Sequence, residues 1–418
     1  MALSSVLSSV ILARALGPAD RGVLASLLLW VGFLANVGLF GIHIHLSRLA
    51  GREPEAAHAI YRHSRVLVFW LSICTMTAFA VFAMALRSAD WVSPAGVSVA
   101  ALGIPFAMWN GLQAQIELGR GRMESYSWAR FSFNASNLLT IVSIWLLGFG
   151  TTLPYVVAFV ASALFAAVST GMVIHNASTK EVDRKMPDRR EIIRRSWRDG
   201  FSIVLLGVAS LADRMLVSIF FSATIMGVYV VALAMSQIQT IMTEATAPLF
   251  FSRLAALGAI DKVDAKWLAM RLRQTVLVNV LLSLAVVSSS PFLLPVLYGK
   301  EYSSAIGLIC ILVPALSIRG MMRPFEEVLK GTGRTLRQSA AVGTMTAIFA
   351  GFAIPAALWG RMDGIALGLV FASSAGLLSV THAVSAATKT PISSLLIPRW
   401  GDLAALSLEV KNRVFRQQ

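Results

Sequence analysis

Charged residues are scarce in this 418-residue chain, at 14% of the sequence, against about 25% in soluble domains. Hydrophobic residues make up 56%. This composition excludes an ordinary soluble globular domain, which needs a charged surface, and a disordered chain, which is poor in apolar residues. A polytopic membrane protein is the class that remains, because a spanning helix needs about 20 mostly apolar residues.

Cysteine is nearly absent, and the two present, Cys74 and Cys310, lie in apolar runs. They exclude a disulfide framework and have no cysteine or histidine partner at zinc-finger spacing. Four histidines cluster, but His43 and His45 are two apart on a helix and point to different sides, which is poor metal geometry. We therefore expect a solvated basic face at His43, His45, His58 and His63, with no metal and no cofactor.

Enzyme signatures are also missing from the sequence. It contains no Gly-x-x-x-x-Gly-Lys-Ser/Thr loop, no Gly-x-Ser-x-Gly turn and no His-Glu-x-x-His helix. The connections expected outside the membrane are about ten residues or shorter, so no external domain is available for catalysis. The sequence therefore predicts a protein that is not an enzyme.

Long apolar runs predict an all-α membrane protein of about twelve spanning helices. The runs lie near residues 1–13, 23–46, 66–86, 96–118, 131–149, 153–175, 200–221, 224–250, 274–298, 303–323, 338–358 and 364–386. The first run is short for a bilayer, and we expect that it has lost its opening turns.

Basic residues alternate strictly between the two sets of connections. Of the 36 Lys and Arg residues, 29 lie in alternate connections and the C-terminal tail, and five lie in the others. These five, expected outside, are Arg14, Arg21, Arg87, Lys300 and Arg361. The positive-inside rule then places both termini in the cytoplasm, next to anionic membrane lipids. The net charge of +15 thus reflects basic residues in the cytoplasmic connections, and we expect no nucleic-acid partner.

The spans divide into two sets of six that start on the same side. We expect an N-terminal lobe at 1–180, a basic cytoplasmic linker at 181–199, a C-terminal lobe at 200–386 and a cytoplasmic tail at 387–418. Two local matches support a parallel internal repeat: 14–25 resembles 221–232, and 118–123 resembles 329–335. Their offsets are close, which favours a doubled six-helix bundle with a central cavity.

Ionisable and amide residues within spans are the candidate site, because they are expensive in lipid and face protein or a wet cavity. Arg319, Arg323 and Glu326 share one helical face of span 10. Asp213 lies about 100° around its helix from Arg214, so we do not expect these neighbours simply to pair. Candidate substrate ligands are Arg319, Arg214, Arg323, Asn110 and Gln113, and candidate ion-coupling residues are Glu244, Asp213 and Glu117.

Two alternatives stay open for this set. Asn110 and Gln113, like other polar groups in spans, can hold helices together instead of binding substrate. Glu244 and Asp213 can neutralise the arginines or can bind a proton or sodium. Gly360, Gly364 and Gly368 repeat every four residues, which is typical of a close-packing helix face.

Several motifs resemble those of bacterial Wzx-type polysaccharide flippases, in the multidrug/oligosaccharidyl-lipid/polysaccharide exporter superfamily. Leu12-Ala-Arg-Ala-Leu-Gly-Pro-Ala-Asp-Arg-Gly22 resembles the family's opening motif, although Arg21 stands where an aromatic is usual. Weaker matches lie at 226–232, 297–305 and 330–334. The resemblance implies a fold like that of multidrug and toxic compound extrusion (MATE) transporters, and it adds Arg14 to the candidate substrate ligands.

The resemblance also implies a function. It predicts that the protein flips polyprenyl-pyrophosphate-linked oligosaccharides across the bacterial cytoplasmic membrane by alternating access. Its partners would then be the lipid-linked oligosaccharide, membrane lipids and other polysaccharide-assembly membrane proteins. An arginine-lined cavity independently suits a pyrophosphate. The alternatives are a drug or small-solute exporter of the same fold and, less favoured, a polysaccharide polymerase or ligase, which would need a long external loop.

Overall fold

The structure is a computed structural model. It describes residues 2–53, 57–176, 189–240, 243, 246–247, 250, 264–331, 335–399 and 401–402. Across these residues the secondary structure is helical and contains no β-strand, so the all-α prediction is confirmed.

Thirteen α-helices are numbered here in chain order within the described residues. They are α1 Ala2–Gly38, α2 Ile42–Arg52, α3 Ala57–Ala85, α4 Pro94–Gly119, α5 Met123–Leu146, α6 Thr152–Asn176, α7 Arg189–Phe220, α8 Ala223–Ser236, α9 Ala265–Tyr298, α10 Ala305–Gly331, α11 Thr335–Leu358, α12 Met362–Thr388 and α13 Ile392–Leu396. A short 3₁₀ turn, Lys300–Tyr302, lies between α9 and α10.

Nine stretches of the described chain are long and apolar enough to cross a membrane, which makes this a multi-pass membrane protein. Each predicted span overlaps a described helix. The first span and residues 23–38 of the second lie in α1, which counts as one stretch, and α5 is not among the nine. The span predicted at 224–250 is interrupted, because α8 ends at Ser236 and turn residues follow it.

A sharp kink divides α1 at Gly17, whose φ of 67° lies in the left-handed region that glycine tolerates. Pro18 follows and has no N–H to continue the helical hydrogen bonds. The residues on either side are helical, so the outer loop predicted at this point is instead a bend. Arg21, expected in that solvated loop, is buried with only 7% of its surface exposed.

The span predicted at 23–46 ends earlier than expected. Phe40 and Gly41 have positive φ angles and end α1, and the separate amphipathic helix α2 begins after them. Ile42, Leu46 and Ala50 form its buried face. His43 is also buried, so the expectation that it is solvated is wrong, and burial lowers the pKa of its imidazole.

The chain divides into two compact units, Met1–Val230 and Val231–Gln418. The first holds α1 to α7 and the start of α8, around a core that includes Leu27, Trp30, Ile60 and Met108. The division falls within α8, later than the predicted linker. Residues 177–188 of the linker region lie outside the described residues, and the lobe boundaries stay a prediction.

Two glycines of the predicted repeat pack directly on each other's segments inside the first unit. A Cβ atom at Gly22 would overlap the carbonyl oxygen of Ala223, and one at Gly227 would overlap that of Pro18. Adding 205 to Pro18 and Gly22 gives Ala223 and Gly227, so each contact is the image of the other. This reciprocity is expected when equivalent segments meet about a two-fold axis, as in parallel repeats.

Glycines also hold α12 close to α11 in the second unit. A Cβ at Gly364 would lie 2.6 Å from the Cβ of Ala356, and one at Gly368 would lie 3.3 Å from that of Phe352. These two confirm the predicted close-packing face. Gly360 differs, because it lies in the turn before α12 with a φ of 67° and has open space around it.

An ion pair attaches the last described residues to α9. Arg273 donates from Nε and Nη2 to both carboxylate oxygens of Asp402, at 2.7 and 2.9 Å. Its Nη1 donates to the carbonyl oxygen of Ser394 at 2.7 Å. The hydrogen bond from Arg273 lowers the pKa of the Asp402 carboxyl, so this carboxylate adds stability that is lost as pH falls through its folded pKa.

We predict that Gly22→Ala destabilises the protein strongly, because the new methyl group would force α1 and α8 apart. Overpacking of this kind typically costs about 1–3 kcal/mol. Gly32→Ala is the matched control on the same helix, since its Cβ would meet nothing within 4 Å. The melting temperature in detergent should fall for Gly22→Ala and hold or rise for Gly32→Ala. Equal behaviour of the two variants would contradict the close packing.

Candidate functional site

A buried carboxylate in α7 joins two of the predicted site residues. Tyr229, in α8, donates its hydroxyl hydrogen to Asp213 Oδ2 at 2.9 Å, and both residues are buried. The Nε of Arg214 lies 3.7 Å from Asp213 Oδ1, so the expectation that these neighbours would not pair is wrong. The long arginine side chain folds back across the helix, which helical spacing alone does not capture.

Arg214 keeps unused hydrogen-bonding capacity. Its Nη2 donates to the carbonyl oxygen of Ser210 at 3.1 Å, one turn earlier in α7. In the described part of the chain its Nε is buried without a hydrogen-bond partner. A guanidinium has five N–H donors and a permanent charge. Arg214 is thus positioned by Asp213 and Ser210 and can still donate to an anion.

Asn110 and Gln113 link α4 to its neighbours. Asn110 donates to the carbonyl oxygen of Ala129 at 3.3 Å and accepts from Thr170 at 3.4 Å. The Gln113 amide, oriented to satisfy both partners, donates to the Ala167 carbonyl at 3.1 Å and accepts from Trp109 Nε1 at 3.0 Å. These contacts are those of polar groups that hold helices together. A substrate role for either residue stays a prediction.

Glu117 lies in a buried ion pair near the end of α4. Its Oε1 accepts from the Tyr61 hydroxyl at 2.9 Å and from Arg120 Nη1 at 2.7 Å. Its Oε2 is buried without a hydrogen-bond partner among the described residues. The contacts therefore fix Glu117 in place, and its predicted part in ion coupling is untested.

In the second unit, α10 continues through Pro314 and Pro324. It carries the arginine stripe, which is the helix face of Arg319, Arg323 and Glu326. Arg319 is half-buried. Arg323 follows one turn later, with 45% of its side chain exposed and its Nη1 3.7 Å from Glu326 Oε2. The carboxylate of Glu326 is largely buried. Glu326 thus lies beside Arg323 on the face that also carries Arg319.

Sequence reasoning missed a polar cluster next to that stripe. Ser317 donates to Asn279 Oδ1 at 2.8 Å, and Ser283 donates to Ser317 at 2.8 Å. Gln239 donates to the carbonyl oxygen of Val313 at 2.8 Å. Asn279 and Ser283, four residues apart in an apolar helix, were the available signal. This cluster ties α9 to α10 and sets the position of the helix that carries Arg319.

The remaining predicted site residues are Arg14 and Glu244. Arg14 lies on α1 and is exposed. Glu244 lies outside the described residues, so its role stays a prediction. Arg214 and Arg319 belong to different compact units.

The polysaccharide biosynthesis protein family matches residues 2–254, more than half of the chain. The chain therefore belongs to that family. No curated protein matches the sequence.

Solved structures of the multidrug/oligosaccharidyl-lipid/polysaccharide exporter (MOP) superfamily share the fold. An inward-facing MATE family multidrug resistance transporter superposes with a TM-score of 0.71 at 17% identity, covering 93% of this chain and 96% of that one. The lipid II flippase MurJ in an inward closed conformation has a TM-score of 0.68 at 12% identity, covering 94% and 87%. A MOP superfamily transporter from Pyrococcus furiosus, whose binding pocket has reversed polarity, has a TM-score of 0.60 at 18% identity, covering 93% of each chain. The MATE-like fold prediction is thus confirmed.

We predict that Tyr229→Phe destabilises the protein, because it leaves a buried carboxylate oxygen of Asp213 without a donor. Such a loss costs about 1–3 kcal/mol. Tyr126→Phe is the matched control, since the Tyr126 hydroxyl meets Arg130 at an exposed site. The melting temperature should fall for the first variant only. In an Asp213→Asn background Tyr229→Phe should have a smaller effect, and full additivity would contradict the contact.

Proposed function

We propose that this protein flips polyprenyl-pyrophosphate-linked oligosaccharide repeat units across the bacterial cytoplasmic membrane for surface or exopolysaccharide assembly. The observation that carries the proposal is the family match over residues 2–254, in a chain whose fold is that of MOP superfamily transporters. The family indicates a sugar-containing substrate, and the fold indicates that the protein transports it. During polysaccharide assembly such sugars cross the membrane attached to a lipid.

The charge of the site residues supports this substrate class. Arg214 and Arg319 are permanently charged and lie in apolar helices, where an arginine is expensive unless it serves an anion. A planar guanidinium matches two phosphate oxygens at once. In the proposed mechanism the arginines hold the pyrophosphate, the polyprenyl tail stays in lipid, and the two lobes open alternately to each side.

The arginines among the site residues also count against the second candidate function, a drug exporter. Organic cations are held by carboxylates and aromatic faces. The carboxylates of Asp213 and Glu117 are already engaged with arginine and tyrosine. We accordingly propose lipid-linked oligosaccharide, membrane lipids and other polysaccharide-assembly membrane proteins as the partners.

Deletion of the gene tests the function directly. Lipid-linked repeat units should accumulate on the cytoplasmic leaflet, and surface polysaccharide should be lost while sugar-transferase activities persist. Restored polysaccharide on re-expression would support the proposal. Unchanged polysaccharide together with raised drug sensitivity would favour the exporter instead.

The proposed orientation places both termini in the cytoplasm, and we predict a matching labelling pattern. With Cys74 and Cys310 replaced by serine, single cysteines are introduced as Ser88→Cys, Ser303→Cys or Glu124→Cys, all at exposed positions. An impermeant thiol reagent added to intact cells should label the first two variants and should label Glu124→Cys only after lysis. Labelling of Glu124→Cys in intact cells would contradict the topology.

We predict that transport falls in the order wild type, Arg319→Lys, Arg319→Ala, because an ammonium is a point charge and lacks the guanidinium's two-pronged geometry. Membrane levels should stay near wild type. Arg337→Ala, which removes an exposed arginine from α11, is the matched control and should transport normally. The assay is complementation of the deletion strain.

A structural account of Arg319 gives a different result. If it only neutralises a carboxylate such as Glu244, removal of both groups should restore what removal of one destroys. Near-wild-type complementation by Arg319→Ala/Glu244→Ala would therefore overturn the substrate-binding role. Failure of both single variants and the double, with protein present in the membrane, supports it.

A further inference from the structure

The turn between α5 and α6 ends α5 with a defined set of backbone hydrogen bonds. The N–H groups of Leu147, Gly148 and Phe149 donate, in that order, to the carbonyl oxygens of Ser143, Trp145 and Ile144, at 3.1, 3.0 and 3.3 Å. Gly148 has a φ of 78°. This is the pattern of a Schellman motif, which ends a helix with a glycine in the left-handed region.

The turn between α11 and α12, in the second unit, has the same geometry. The N–H groups of Trp359, Gly360 and Arg361 donate to the carbonyl oxygens of Pro355, Ala357 and Ala356, at 3.0, 3.0 and 2.9 Å. Adding 212 to each donor and acceptor of the first turn gives its counterpart here. The same offset separates Gly121 from Gly333 in the predicted repeat, so the two turns are equivalent positions of that repeat.

Both turns carry large apolar side chains at their tips. Leu146 and Leu147 are 74% and 72% exposed, and Leu358 and Trp359 are 65% and 79% exposed. Single apolar residues scattered over a surface are normal, whereas adjacent ones mark a surface that contacts another molecule or a membrane. Here an adjacent pair occurs at both of two equivalent turns, which indicates a shared role.

Charge distinguishes these tips from the other short connections between spans. Residues 131–179 contain no Lys, Arg, Asp or Glu, so the first turn offers no charged group to water. In the second turn the nearest charged residue is Arg361, two positions after Trp359. Two other connections expected on the same side of the membrane are charged, with Arg87 and Asp90 after α3 and Lys300 and Glu301 after α9.

The apolar tips continue helix faces that are exposed along the spans. On α6, Leu153, Val157 and Leu164 are exposed at spacings of four and seven, which places them on one face. On α11, exposed Ile354 lies one turn before Leu358. Both helices are apolar and long enough to cross a membrane, so their exposed faces contact lipid hydrocarbon. The tips lie at the ends of these lipid-facing surfaces.

We propose that the α5–α6 and α11–α12 turns are inserted into the membrane interface, with Leu146, Leu147, Leu358 and Trp359 as anchors that contact lipid just below the headgroups. The proposed topology makes this the outer leaflet. An indole ring suits that position, because its body is apolar and its N–H can donate to a headgroup. Arg361 has a stem long enough to reach the headgroup phosphates. The anchors set the depth of the two helical hairpins in the bilayer.

The test measures the depth of a spin label beside each anchor. With Cys74 and Cys310 replaced by serine, Leu146→Cys or Leu358→Cys is labelled in the purified full-length protein, in liposomes of phosphatidylethanolamine and phosphatidylglycerol. Oxygen, which concentrates among acyl chains, should collide with these labels more often than a water-soluble nickel chelate does. Ser88→Cys and Ser303→Cys, at exposed positions of the charged connections, are the matched controls and should show the reverse. Labels at 146 and 358 that collide mainly with the nickel chelate would overturn the proposal.

Substitution of an anchor locates the effect. Trp359→Gln, added to the labelled Leu358→Cys variant, should shift the label toward water and raise its collision rate with the nickel chelate. Leu147→Gln should do the same for the label of Leu146→Cys. Trp70→Gln removes an exposed tryptophan of α3 and is the matched control, with no shift expected at either label. Unchanged label depth in both anchor variants would overturn the anchoring role of these side chains.

A protein partner at the tips would give a different result. In liposomes that contain only this protein, the labels would then lie in water, and in intact cells an impermeant thiol reagent would not reach Leu146→Cys or Leu358→Cys. That combination would overturn insertion into lipid and assign the tips to a protein interface. The depth measurement needs no substrate, so the proposed transport function can fail while the insertion stands, and the reverse.

Discussion

The contact between Gly22 and Gly227 is the constraint on which the rest of the first unit depends. Each glycine lies against a backbone carbonyl of the other segment, where any side chain would overlap that carbonyl oxygen. The same closeness places the N-terminus of α8 beside Asp90, whose carboxylate accepts from the Ala223 backbone N–H at 3.2 Å. A carboxylate at a helix N-terminus is favourable for the helix dipole. Packing and electrostatics therefore set the positions of α1 and α8 together.

The contact between Gly22 and Gly227 also helps to position residues of the candidate site. Tyr229 is two residues beyond Gly227, and its hydroxyl group holds the carboxylate of Asp213, next to Arg214. On the other side of the contact, Arg21 directly precedes Gly22 and faces a polar cavity between α1 and α5. Small residues at the crossing thus help to position the Asp213–Arg214 pair of the proposed transport site and the buried Arg21.

Much of the fold follows from hydrophobic periodicity. Spans such as α4, α6 and α12 were predicted within a few residues, because a long apolar run has no alternative to a helix in lipid. The repeat was also visible, and the offset of 205 that separates Gly22 from Gly227 in the matching segments reappears in their reciprocal contact. The ends of helices were less predictable where a positive φ angle kinks or ends a helix, as at Gly17 and at Phe40–Gly41. A positive φ angle does not change the hydrophobic pattern of the sequence, so the pattern cannot reveal it.

The candidate site residues could be selected from the sequence, but the contacts that they make could not. Rare charges in apolar helices identified Arg214, Asp213 and Glu117, but not that the arginine would fold back on its neighbour or that Tyr61 would hold the glutamate. Such contacts depend on rotamers and on helices distant in sequence, which spacing rules do not contain. The burial of Arg21 escaped prediction for the same reason, because it requires both the kink and α5.

Reconstitution tests the central claim, that the protein moves lipid-linked oligosaccharide between leaflets. Purified protein is placed in liposomes with a polyprenyl-pyrophosphate oligosaccharide labelled in its sugar, and an impermeant glycosidase is added outside. In protein-free liposomes about half of the label, the outer-leaflet share, should be released. The account predicts near-complete release with wild-type protein and release close to the protein-free level with Arg319→Ala. Release at the protein-free level with folded wild-type protein would contradict it.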